Sequence, residues 1–131
     1  MLSPVAEDNI RLITQAELLA NASDIEGDVL TATGLTLATG SGALTDNGDG
    51  SWTYTPASND DTDVSFTYAI DDGANSITAA ATLDITPVDD IPTSSPVALT
   101  TAIEDNVRLI TQTELLTNAS DIEGDALTAT G

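Results

Sequence analysis

Residues 64–86 read VSFTYAIDDGANSITAAATLDIT, two runs of alternating polarity around a turn. Val64, Phe66, Tyr68 and Ile70 alternate with Ser65, Thr67 and Ala69. Ile77, Ala79, Ala81, Leu83 and Ile85 alternate with Thr78, Ala80, Thr82, Asp84 and Thr86. A period of two puts every second side chain on one face of a half-buried strand. Asp71-Asp72-Gly73 between the runs supplies residues that accept tight-turn geometry. The stretch therefore predicts strands over 64–70 and 75–86.

Upstream the same grammar continues. Trp52 and Tyr54 share one face of a strand over 51–55. Asp46-Asn47-Gly48-Asp49-Gly50 joins it to a strand over 42–46, because Asn-Gly and Asp-Gly accept positive φ in hairpins. Leu30 and Ala32 share a face, but Leu35 and Leu37 break that phase. Gly34 between them predicts a bulge or bend separating strands over 28–33 and 35–39. Thr14-Gln15-Ala16-Glu17 reads as a capping box opening a short helix before Leu18-Leu19, with Asn21 as its stop. A first strand is expected over 4–6 with 9–13. About seven short strands in a domain of this size predict an all-β, immunoglobulin-like Greek-key β-sandwich.

The chain repeats itself. Residues 7–34, EDNIRLITQAELLANASDIEGDVLTATG, return at an offset of 97 as EDNVRLITQTELLTNASDIEGDALTATG, with 24 of 28 positions identical. The expected organisation is a complete sandwich repeat over 1–86, a proline- and aspartate-rich linker over 87–97, and the truncated start of a further repeat over 98–131. Three prolines make the linker semi-rigid. The 34 residues of the truncated copy are too few to bury a sandwich core alone. Residues 98–131 are therefore expected to dock on the first unit or on a neighbouring molecule, or to swap for residues 2–34.

Charge narrows the function. The chain carries 22 acidic side chains against two basic ones, Arg11 and Arg108, for a net charge of −20. Such a chain repels itself when compact. It lacks the cations that nucleic acid requires and is disfavoured at anionic membrane surfaces. Bound cations would offset the repulsion; an acidic surface adapted to high salt is a compatible reading. With no cysteine and no histidine, disulfides and thiolate or imidazole metal sites are impossible. A metal would be held by oxygen alone, which points to calcium or magnesium. No apolar run reaches the length of a membrane span.

Acidic clusters supply the candidates. In an extended segment Asp24, Glu26 and Asp28 would face the same side, with Gly27 allowing a tight loop. Asp60, Asp61 and Asp63 share one loop, and Asp71 and Asp72 another. Asp89 and Asp90 lie in the linker, and Glu7 opens the repeat. Turn chemistry or a solvated loop is the competing reading for each.

The succession NASDIEGD, DGSWTYTP, DVSFTYAIDDG and LDITPVDDIP resembles the bacterial cadherin-like tandem repeat of giant RTX adhesins exported by type I secretion. The resemblance covers residues 2–97 and runs into the partial copy. It implies an immunoglobulin-like fold, an extracellular place on the bacterial cell surface, and several calcium ions at the joints between repeats. Glu7 resembles the glutamate at the end of the first strand in cadherin domains, and Asp89 and Asp90 the acidic linker before a proline. Asp121, Glu123 and Asp125 resemble the acidic residues after the second strand of the following domain. Together these groups would converge on the junction between the two copies. Asp24, Glu26, Asp28, Asp71 and Asp72 would form the matching half-site at the opposite end. The Asp-Arg-Glu motif of cadherins is absent, and Asp60, Asp61 or Asp63 stand in for it.

The leading expectation is a calcium-dependent extender repeat, each sandwich adding roughly 35–45 Å, with adjacent repeats as partners. The alternative is an adhesive module for glycan, protein or ice, for which Thr31, Thr33, Thr36, Thr78, Thr82 and Thr86 offer threonine-rich faces. Catalysis by paired carboxylates is disfavoured by the absence of histidine, cysteine and lysine.

Overall fold

The computed structural model describes all of residues 1–131. The chain forms two compact units, Met1–Val88 and Asp89–Gly131.

In the first unit β1 (Val5–Ala6), β2 (Arg11–Thr14), helix α1 (Gln15–Leu18), β3 (Thr31–Thr39), β4 (Ala43–Asp46), β5 (Ser51–Thr55), β6 (Val64–Asp71), β7 (Ser76–Leu83) and β8 (Ile85–Thr86) follow in order. One sheet runs β2-β5-β4 and the other β3-β6-β7, while β1 and β8 pair in parallel. This is the strand pairing of a seven-stranded immunoglobulin-type sandwich when β7 and β8 are counted as one broken strand. Ile13, Trp52 and Tyr54 of the first sheet meet Ala32, Leu35, Val64, Phe66, Tyr68, Ile70, Ala81 and Leu83 of the second in one core. The rings of Tyr54 and Phe66 join the two layers edge to face at 5.4 Å, a favoured aromatic geometry.

The hairpin read from residues 64–86 is present, with Val64 opposite Leu83 and Asp71 opposite Ser76. Three expectations are corrected. Residues 5–6 and 11–14 are separate strands with different partners, because Asp8, at φ 63, turns the chain between them. Residues 28–30 are not strand, and the expected strands on either side of Gly34 are one strand, β3. Gly34, at φ 64, takes an extra residue between the pairs Thr33–Ala69 and Thr36–Thr67. That bulge resets the alternation, so Ala32 and Leu35 both point inward. The run 75–86 breaks at Asp84, where the chain leaves β6 and pairs with β1 instead.

Helix α1 has the expected capping box: Glu17 N–H donates to Thr14 Oγ1 at 3.4 Å and Thr14 N–H to Glu17 Oε2 at 3.1 Å. The helix seats Leu18 in the core, and its Gln15 amide clips β3 by donating to Ala32 O at 2.6 Å and accepting from Ala32 N at 2.7 Å. Gln15 thus acts as a strand partner for two backbone groups on an edge strand.

The second unit holds β9 (Thr93–Ser94), helix α2 (Gln112–Leu115) and β10 (Ala119–Ser120), with β9 and β10 antiparallel. It has no buried residue. The counterparts of β2 and β3 form no strands there, since the counterparts of β5 and β6 have no copy within residues 98–131. No helix of the chain is long and apolar enough to cross a membrane.

Gly42 has φ 114, and a Cβ there would meet Thr55 O at 2.6 Å and Tyr54 Oη at 2.7 Å. Gly42→Ala is expected to destabilise the chain by about 1–3 kcal/mol. Gly34→Ala, where the added Cβ meets nothing within 4 Å, is expected to cost less. Equal midpoint shifts of the two variants in urea would refute the steric account.

Candidate functional site

The acidic residues fall into groups at the two ends of the first sandwich and in the second unit. The register of β6 with β7 defines the ends: Val64–Leu83 marks one, Asp71–Ser76 the other, about 25 Å away over eight strand residues.

At the Val64 end stands Glu7. It is 3% exposed and is the chain's one buried charged residue. Its backbone N–H donates to Thr86 O at 2.9 Å, extending the β1–β8 pairing, and its Oε1 accepts from Val88 N at 2.7 Å. It has no basic partner. The chain's two arginines are engaged elsewhere, Arg11 with Glu17 and Arg108 with Glu114. A carboxylate withdrawn from water without a counter-charge is costly.

Asp60 lies at the same end, where its carboxylate accepts from the Ser41 hydroxyl and from Thr62 N. The Ser41 contact, with Thr62 behind it, holds the Asp60 carboxyl below the ordinary aspartate range. Asp61 is exposed. Asp63, next to Val64, comes within hydrogen-bonding reach of Asp84. That contact, with some burial and the charge of Asp63, pushes the Asp84 carboxyl up. Asp84 was not among the expected residues. The missed signal is the hairpin register, which places it across from Asp63 once Val64 pairs with Leu83.

A raised carboxyl in the folded chain favours stability in acid and loses it as pH rises through the raised value. Asp84→Asn, measured in chelator, is therefore expected to raise the melting temperature at neutral pH. The gain should shrink in acid, where Asp84 is protonated. A gain of the same size at both pH values would exclude charge repulsion as its source.

At the Asp71 end the carboxylates are turned onto their own backbone. Asp71 Oδ1 accepts from Gly73 N at 2.7 Å, and Asp72 Oδ1 from Ala74 N at 2.7 Å and Asn75 N at 2.6 Å. The Asn75 amide, then that of Ala74, lowers the Asp72 carboxyl. Residues 24–28 are not the extended segment expected. The chain bends at Ile25–Glu26, Gly27 sits at φ 82, and Asp24 Oδ1 accepts from Glu26 N at 2.9 Å and Asp28 N at 3.0 Å. Local amides compete successfully for the aspartate, which removes the common face of Asp24, Glu26 and Asp28. Asp24 and Asp72 do line one groove of about 610 Å³, floored by Leu18, Tyr68 and Ala79.

The second unit repeats the aspartate loop. Asp121 Oδ1 accepts from Glu123 N at 3.1 Å and Asp125 N at 3.0 Å. Glu123 Oε2 accepts from Asp90 N at 3.3 Å, so the linker acidic pair and the following loop are brought together. Asp89 is exposed beside it. Nowhere in the chain are three acidic side chains gathered into a ready cage for a metal ion. The donor chemistry, oxygen only and including a desolvated carboxylate lacking a cation, fits a hard divalent ion.

Comparison with known proteins gives a family. The sequence model of the cadherin-like domain matches residues 1–86. No curated protein matches the chain. Among solved structures, a variant of the endo-fucoidan hydrolase MfFcnA4 from glycoside hydrolase family 107 aligns at 27% identity and a TM-score of 0.47 over 66% of this chain. Another structure of that hydrolase aligns at 24% identity and a TM-score of 0.41. The chain spans 12% of the length of each hydrolase chain.

Proposed function

The chain belongs to the cadherin-like domain family through residues 1–86, and from that we propose that it is a calcium-dependent extender repeat of a large bacterial surface adhesin. It is extracellular and non-catalytic, and its partners are the adjacent repeats. The observation that carries the reading is Glu7: buried, without a basic partner, and bonded to Val88 beside Asp89-Asp90. In this reading Glu7, Asp89, Asp90, Asp121, Glu123 and Asp125 are the calcium ligands that each repeat contributes. Asp24, Asp71 and Asp72 serve the opposite end toward a preceding repeat. The ion supplies positive charge where carboxylates of successive units repel, and by binding only the folded chain it stabilises the fold.

A ligand at a hundred times its dissociation constant adds about 2.7 kcal/mol. For a domain this size that raises the melting temperature by about 10–20 °C. The test is thermal unfolding of the chain in millimolar calcium and in chelator, with small-angle scattering on a tandem of complete repeats. The expected results are a calcium-dependent rise that chelator reverses and a longer, narrower distance distribution in calcium. Identical melts and identical scattering in both conditions would sink the reading.

A further inference from the structure

The two copies share their helix caps, turns and glutamine clips. Thr14 and Thr111 cap helices at φ −114 and −106, both with ψ 158; Asp8 and Asp105 sit at φ 63 and 60; Gly27 and Gly124 are both at φ 82. Gln112 clips Ala129 as Gln15 clips Ala32, at 2.7 Å in both directions. Ala22 and Ala119 each donate to the leucine three residues earlier at 3.0 Å.

One difference stands out. Ala119–Ser120 is a strand, whereas its counterpart Ala22–Ser23 is not. In the second unit the preceding segment 93–96 lies along it. Ser94 pairs with Ala119 and Thr93 with Ser120; Ser95 N donates to Asn118 O at 3.3 Å, and Asn118 Nδ2 to Pro96 O at 2.9 Å. In the first unit the corresponding Asn21, Ala22 and Ser23 line the open groove, together with Met1 and Leu2. Ile77 at its rim is 64% exposed although its strand phase points inward. Leu2 N already donates to Thr82 O at 2.8 Å, so chain running ahead of Leu2 enters along this groove.

We propose that the groove is the seat of an extended Thr-Ser-Ser-Pro segment joined ahead of Leu2, the counterpart of Thr93–Pro96 ahead of Leu99. The segment pairs with Asn21–Ser23 as an added strand and covers Ile77. It follows that in a tandem array residues equivalent to 93–96 are the first strand of the unit they precede. With Val88 held by Glu7, the spacer between successive sandwiches shortens to Asp89–Pro92. The inference does not depend on calcium, so the test is run in chelator.

The experiment replaces Met1 of the full chain by a copy of residues 87–98 and compares the product with the parent. The expected result is amide exchange across Asn21–Ser23 slowed on the order of tenfold, and a higher melting temperature. Proline in place of the added serine that corresponds to Ser95 removes the donor N–H and should cancel both gains. Unchanged exchange at Asn21–Ser23, or gains that survive the proline, would overturn the proposal.

Discussion

Ile13→Ala is expected to lower the unfolding free energy by about 2–5 kcal/mol, while Ile110→Ala changes it by less than about 0.5 kcal/mol. The two residues occupy equivalent positions 97 apart, each four residues before a capping-box glutamate. Ile13 is 0% exposed, opposite Trp52 on the β2–β5 ladder, whereas Ile110 is 49% exposed and belongs to no strand. Removing three methyl or methylene groups from Ile13 leaves a void in a packed core and forfeits their transfer energy. At Ile110 those groups are already half exposed to water and line no packed core. Urea unfolding of both variants decides the matter. A matching loss for Ile110→Ala would mean that 98–131 is packed against something in solution, as docking or swapping requires.

Glu7→Gln is expected to cost stability in calcium but not in chelator. In chelator the amide removes an uncompensated charge and keeps an acceptor for Val88 N–H, so the variant should be no less stable than the parent. In calcium it should lose more than half of the metal-induced rise, on the order of 1–2 kcal/mol of the stabilisation. Differential scanning calorimetry in the two buffers gives both values. An equal loss in chelator and in calcium would reduce Glu7 to a hydrogen-bond acceptor for the chain after β8 and remove its role as a ligand.

Local chemistry was legible in the sequence, and non-local chemistry only in part. The capping box at Thr14, the turn at Asp71-Asp72-Gly73 and the alternation of β6 depend on neighbours in sequence, and the same local geometry recurs at Thr111 without any core. Burial of Ile13 depends on β5, dozens of residues away, and no local pattern separates it from Ile110. The bulge at Gly34 was flagged by a phase break. Whether it ends a strand or only kinks it was decided by β6, which pairs on both sides. The split of residues 4–13 into two strands turned on Asp8 adopting positive φ, which aspartate tolerates but does not announce.

The candidate site shows the same division. Glu7 and the acidic linker were singled out through the resemblance to cadherin repeats, since 81 residues separate Glu7 from Val88 and no local pattern pairs them. The expectation for Asp24, Glu26 and Asp28 rested on an extended backbone. The Asp24 carboxylate instead folds that segment around itself. Asp84 escaped notice because its significance lies only in facing Asp63.

The parallel pairing of β1 with β8 has a mechanical consequence. Leu2, Val5 and Glu7 donate in turn to Thr82, Asp84 and Thr86, with Val88 tied back to Glu7. The chain therefore enters the first sandwich at one end of this clasp and leaves at the other. A force pulling the two termini apart shears the whole row at once and does not peel it bond by bond. Resistance to stretching is thereby concentrated in a few backbone contacts at the edge, and they yield together or not at all.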